Sequence, residues 1–215
     1  MAVAVKICGV KSEAAVAAAV ANGASALGFN FYLPSPRAVD AARAGVLTGM
    51  VPPGIVKVGL FVDASDQTIA EMLAAASLDM LQLHGDETPR RVKDLRRRFG
   101  LPVMKVVKLA SATDVAAADA YIAVADQLLF DTKPPPEMKG ALPGGNAISF
   151  DWSLIAGRSW VLPWLLSGGL TARNLAAAIA ATRATAVDLS SGVEDAPGRK
   201  SPEKIAAFLR LAATL

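Results

Sequence analysis

Val3-Ala4-Val5-Lys6-Ile7-Cys8-Gly9-Val10-Lys11-Ser12 is the stretch that decides between two folds. Residues 3–8 are an apolar, β-branched run that reads as a strand. Ser12 is placed to cap an alanine-rich helix running to Asn22, with Gly23 as its stop. A strand that turns at once into a helix begins either an open doubly wound sheet or a closed parallel barrel. The open sheet would usually carry G-x-G-x-x-G at this turn, and Cys8-Gly9-Val10-Lys11-Ser12 has no such spacing; no Walker A sequence occurs elsewhere.

The alternation continues to the end of the chain. Further strand-like runs fall at Ala26 to Phe31, Ile55 to Val62, Asp79 to Leu83, Val103 to Val107, Gln127 to Phe130, Trp160 to Leu166 and Ala186 to Leu189. Helical patterns follow near Ala41 to Met50, Thr88 to Phe99, Ala112 to Ala120 and Thr171 to Ala181. Ile69, Met72, Leu73 and Ala76 form one stripe, as do Ile205, Phe208, Leu209 and Ala212 in a last helix from Pro202. Eight runs, each expected to be followed by a helix, predict an α/β fold: a (β/α)8 TIM barrel, with residues 1–215 as a single domain and the open sheet as runner-up. Thr132 to Phe150 is irregular and rich in proline and glycine, which suits a lid.

Composition limits what such a barrel can do. Hydrophobic residues make up 53% of the 215 and charged residues 19%, so the chain can bury a large core. No apolar run approaches the roughly 18 residues that span a bilayer, and the N-terminus lacks a signal-peptide pattern; a soluble, cytoplasmic protein is expected. One cysteine and one histidine exclude an internal disulfide, a thiolate zinc cluster and a histidine-rich site, so no metal is expected. The net charge is +3, and the clusters Arg90-Arg91 and Arg96-Arg97-Arg98 read as a solvated helix face without interleaved aromatics, so no nucleic-acid partner is expected.

In a barrel the chemistry sits at the carboxyl ends of the strands. Cys8 follows strand one, Arg37 lies in the proline-stiffened loop after strand two, Gln82 and His84 close strand four, and Asp131 closes strand six. Gly168 and Gly169 follow strand seven; Ser190, Ser191 and Gly192 follow strand eight. The last two loops suit phosphate, because small residues let backbone N–H groups approach an anion; taken alone, either is also an ordinary turn. A thiol and a carboxyl facing one ligand suggest proton transfer, although Cys8 also fits as a small buried hydrophobe. Lys6 points the same way as Cys8 in a strand and is expected to lower the thiol pKa towards neutrality. The Arg37 guanidinium can grip a carboxylate or form a surface ion pair. His84 also reads as a structural group, and Asp86 and Glu87 as solvent-facing turn residues. The surroundings of Trp160 and Trp164 offer an apolar patch for a contact between subunits.

Taken in order, Lys6-Ile7-Cys8-Gly9, Gly28-Phe29-Asn30-Phe31 with Ser35-Pro36-Arg37, Gln82-Leu83-His84-Gly85-Asp86-Glu87, Phe130-Asp131-Thr132-Lys133, Gly144-Gly145 with Phe150-Asp151-Trp152, Ser167-Gly168-Gly169-Leu170 and Asp188-Leu189-Ser190-Ser191-Gly192-Val193-Glu194 resemble the phosphoribosylanthranilate isomerase family of tryptophan biosynthesis. The likeness runs from Lys6 to about Lys200. It implies a cofactor-free Amadori rearrangement of N-(5-phosphoribosyl)anthranilate to the 1-deoxyribulose 5-phosphate product. By the same likeness Asp131 is the general acid and Cys8 the general base. Arg37 holds the anthranilate carboxylate, Gln82, His84 and Asp188 line the site, and the backbone of Gly168, Gly169, Ser190, Ser191 and Gly192 holds phosphate. The implied partner is a small phosphorylated substrate, with no membrane or nucleic acid and with the oligomeric state, monomer or homodimer, left open. Alternatives are another cofactor-free phosphate-binding barrel enzyme, such as indole-3-glycerol phosphate synthase, and a non-catalytic phosphate binder.

Overall fold

The computed structural model describes residues 2–215. The chain alternates β1 (Ala4–Cys8), α1 (Glu13–Ala21), β2 (Ala26–Asn30), α2 (Ala41–Gly49), β3 (Val56–Phe61), α3 (Asp66–Ala75), β4 (Met80–Leu83), α4 (Pro89–Phe99), β5 (Val103–Leu109), α5 (Ala112–Ala117), β6 (Gln127–Thr132), β7 (Trp164–Leu166), α6 (Leu175–Thr182) and β8 (Ala186–Leu189). A hairpin of β9 (Glu194–Ala196) and β10 (Arg199–Lys200) then leads into α7 (Pro202–Ala212). Strands β1 to β8 pair in parallel with their neighbours in order, and β1 closes on β8 with Lys6 opposite Asp188. The result is a closed (β/α)8 TIM barrel.

Side-chain periodicity explains the layers. Alternate residues of a strand face the lumen, where Met104, Val106, Leu129 and Leu165 form a small buried cluster of their own. The opposite parity faces the helices: Ile7, Leu27, Leu81, Leu128 and Val187 belong to the larger core. The predicted stripe Ile205, Phe208, Leu209 and Ala212 is buried in full, laying α7 against α1 and β1. Side chains of Ser12, Asp40, Ser65, Thr88, Ser111 and Ser201 accept the first free N–H groups of their helices. Each fixes where a loop of the site face ends and a helix begins.

Three expectations are corrected, and one element is new. The seventh run shrinks to Trp164–Leu166, because Pro163 has no N–H for a ladder and contributes only its carbonyl, to Leu128. Trp160 and Trp164 do not make an outward patch; both rings pack on Phe130, with centroids 4.4 and 5.6 Å away. After β6 no α-helix follows, only an irregular segment and one short turn of helix at Trp152–Leu154. The hairpin β9–β10 was not foreseen.

Candidate active site

The inward parity of the strands brings Cys8, Asp131 and Asp188 to one mouth of the barrel, where they line a single cavity with Arg37 and His84. Cys8 ends β1, and Lys6, two residues earlier, also points into the lumen. The Lys6 ammonium donates to Asp188 Oδ1 at 2.8 Å, and Ser167 Oγ donates to Asp188 Oδ2 at 3.3 Å. Lys6 is thus paired with Asp188. Burial pushes the Cys8 thiol above its ordinary pKa; the attraction of Lys6 acts the other way but loses. This overturns the expectation of a thiol brought towards neutrality. For Lys6, burial favours the neutral amine, but Asp188 and Cys8 together more than offset it and the pKa ends raised.

Asp131 lies within β6, one position further inside the strand than the sequence suggested. Its Oδ1 accepts the Thr132 N–H at 2.8 Å. Its Oδ2 lies 3.3 Å from His84 Nε2, out of line for a hydrogen bond, and faces the cavity. Gln82 is wholly buried below His84, its amide Nε2 3.3 Å from His84 Nδ1, and does not line the cavity. A direct substrate contact from Gln82 is therefore not what the geometry offers; it steadies the imidazole.

Gly168 and Gly169 follow β7 with φ of 90° and 59°, in the left-handed region that glycine adopts without strain. The N–H groups of Gly168, Gly169, Ser190 and Ser191 donate no hydrogen bond among the described residues, which leaves them free for an anion. Gly192 lies off the cavity: a Cβ there would overlap the Leu170 carbonyl, so its part is to let the two loops touch. Helix α6 starts at Leu175 rather than near Thr171, so its positive end stands one turn back from these glycines.

The Arg37 guanidinium is neither free nor on the surface. Its Nε and Nη2 donate to the two carboxylate oxygens of Glu194, both at 2.8 Å, and Nη2 reaches the Gly145 carbonyl at 3.3 Å. Glu194 also accepts from Lys200 at 2.6 Å. Burial would raise the Glu194 pKa, but the two cations hold it below the usual carboxylate range; Lys200 is itself pushed down, by burial first. Asn30 and Ser35 complete this wall, Ser35 Oγ accepting from Asn30 Nδ2 and the Arg37 N–H, each at 3.2 Å. The roles of Glu194, Lys200, Asn30 and Ser35 went unread. The Pro197-Gly198 pair was a usable turn signal for the hairpin that carries the first two. Glu87 was also misjudged: it is buried and paired with Lys105 at 2.6 Å, while Asp86 is exposed.

The segment after β6 covers the mouth. Gly144 sits so close that a Cβ on it would lie 2.6 Å from Asp131 Oδ2 and 2.6 Å from His84 Cε1, and Gly145 lies against the Arg37 guanidinium. Among the described residues no cluster of three or more His, Cys, Asp or Glu side chains could hold a metal ion, and no helix is long and apolar enough to cross a membrane.

The chain is similar along its length to known proteins. The family model for N-(5'-phosphoribosyl)anthranilate (PRA) isomerase matches residues 5–210. The chain is 54% identical over 213 residues to the N-(5'-phosphoribosyl)anthranilate isomerase of Paramagnetospirillum magneticum, covering 99% of this chain and 98% of that one. It is 54% identical over 215 residues to that of Rhodospirillum centenum, covering all of both chains. The crystal structure of phosphoribosyl anthranilate isomerase from Thermotoga maritima superposes with a TM-score of 0.87 at 34% identity, over 99% of this chain and 100% of that one. Another solved phosphoribosyl anthranilate isomerase, in complex with reduced 1-(o-carboxyphenylamino)-1-deoxyribulose 5-phosphate, superposes at 0.83 with 32% identity over 99% of this chain and 100% of that one. The chain belongs to the N-(5'-phosphoribosyl)anthranilate isomerase family.

Proposed function

We propose that this protein, with residues 1–215 acting as one domain, converts N-(5-phosphoribosyl)anthranilate into 1-(2-carboxyphenylamino)-1-deoxyribulose 5-phosphate. The observation that carries the reading is one cavity lined by a thiol, a carboxyl, a guanidinium and two loops with unused backbone N–H groups. Asp131 would protonate the furanose ring oxygen through Oδ2, its other oxygen being held by the Thr132 N–H. The C1–O bond then breaks and the nitrogen lone pair forms a C1=N bond. Cys8, as thiolate, takes the C2 proton, and the electron pair left behind neutralises the iminium to an enol that tautomerises to the C2 ketone. One proton given and one taken leave an isomer, without a redox step.

The Gly168 and Gly169 loop with Ser190 and Ser191 would hold the phosphate, and the remaining edge of Arg37 the anthranilate carboxylate. Asp188 and His84 would border the sugar, His84 being held by Gln82. A small phosphorylated substrate is the partner in this reading, and a cytoplasmic location goes with it, since substrate and product are charged and water-soluble.

The test is to supply phosphoribosylanthranilate in chelator-containing buffer and follow the loss of its fluorescence. Turnover without metal or cofactor is the expected result; a folded protein that leaves the fluorescence unchanged would refute the proposal.

A further inference from the structure

Lys200 lies on β10 at the rim of the site, with its side chain only 1% exposed. An ammonium has three N–H donors, and all three are used inside the protein: on the Ser190 carbonyl at 3.0 Å, on Ser190 Oγ at 2.9 Å and on Glu194 Oε1 at 2.6 Å. It has no donor left for a ligand, so whatever it does for the reaction it does through those two residues.

Each of the two leads to a different end of the cavity. Glu194 holds the Arg37 guanidinium by two parallel hydrogen bonds, which fixes the plane of that group. Ser190 belongs to the loop with free N–H groups, and its hydroxyl donates to the Cys8 carbonyl at 3.1 Å. The hairpin supports the same coupling from outside. Gly198 at its tip lies so near Pro36 that a Cβ would overlap the Pro36 carbonyl oxygen, one residue before Arg37. Two cations sharing one carboxylate also leave a positive charge in excess at this wall, suited to an anionic ligand.

We propose that Lys200 is a positioning residue that couples the two anion-binding ends of the site, setting Arg37 through Glu194 and the phosphate loop through Ser190. This rests on the isomerase reading for the identity of the ligand, since a carboxylate at one end and a phosphate at the other are what the two arms would meet. Glu194 is the link to one arm only. Its amide variant keeps an oxygen for Lys200 but loses the charge and the second acceptor that orient Arg37.

Titration calorimetry with two probes separates the arms: inorganic phosphate, and reduced 1-(o-carboxyphenylamino)-1-deoxyribulose 5-phosphate, which carries both ends. Lys200→Met is expected to weaken phosphate about tenfold, the size of one charge-assisted hydrogen bond, and the two-ended ligand about a hundredfold. Glu194→Gln is expected to weaken the two-ended ligand about tenfold and to leave phosphate within about threefold. In turnover the Lys200→Met loss should fall mainly on KM. If that variant shows no cooperative melt, Ser190→Ala takes its place for the phosphate arm, with the same tenfold loss expected.

A folded Lys200→Met that binds both probes within about threefold of wild type, melting lower or not, shows a merely structural lysine and overturns the proposal. So does a Glu194→Gln variant that binds the two-ended ligand as wild type does, because the coupling route is then absent. Wild-type turnover is the separate control: if it fails while phosphate still binds, the isomerase reading falls and the phosphate titrations still judge Lys200.

Discussion

Burial keeps the Cys8 thiol protonated at rest, and this has a consequence that can be measured. A base must be deprotonated to act, and a raised pKa moves its working limb upward. Accordingly kcat/KM should climb with pH through and beyond the ordinary thiol range of about 8.5. A profile already flat at neutral pH would mean that the thiol is not the base. The same shift bears on stability with a defined sign. The folded state holds this proton more tightly than the unfolded state, so the contribution is present below the ordinary thiol pKa and is lost as pH rises through the folded one. What the sequence conveyed at this scale was placement: Lys6 and Cys8 share a face by strand parity and Cys8 and Asp131 stand at strand ends, while Asp188 entered only through the family resemblance. It could not convey partners. Arg37 and Glu194 are 157 positions apart, and only barrel closure shows that the guanidinium already has a carboxylate.

Individual elements are tuned for the mouth of the barrel. Lys105 on β5 donates to the Leu83 and Gly85 carbonyls and to Glu87, and Glu87 accepts the N–H groups of Asp63 and Gly85. This buried pair clamps the turn that carries His84. Lys105→Met leaves a buried carboxylate unpaired and should cost about 3–5 kcal/mol, read as a fall in the denaturation midpoint. The lid is the other sensitive element. Gly144 rests on Asp131 and His84 at the wall of the cavity, so a branched side chain there would press on both groups. Gly144→Val should lower kcat/KM by about a hundredfold, in line with the cost of a small misplacement in an active site, while the melting temperature stays close to wild type. A variant as active as wild type would show that the lid does not close over Asp131. Ala186 to Leu189 and the helix from Pro202 were legible because apolar periodicity and a proline at the first helical turn left no rival reading. Trp160 to Pro163 misled because its apolar residues were read ahead of Pro163, whose missing N–H already argued against a strand there, and the short hairpin offered too few residues for any period.

At the scale of the whole molecule, closure does the integrating. β1 pairs with both β2 and β8, and α7 packs on α1, so the two ends of the sequence support each other. Ile205 is wholly buried in that seam, and Ile205→Ala should cost about 2–5 kcal/mol in denaturant unfolding without altering the pH dependence of turnover. Closure also brings the ends of seven strands to one cavity, which is why a thiol that looks inert in its own strand becomes a candidate base. The central claim is that Cys8 and Asp131 act as a base and acid pair. It is tested most directly by measuring kcat/KM for phosphoribosylanthranilate with the wild type, Cys8→Ala and Asp131→Asn side by side. Each variant should fold as the wild type does and lose about 10²–10⁴ in kcat/KM. Either variant retaining wild-type turnover would contradict the pair.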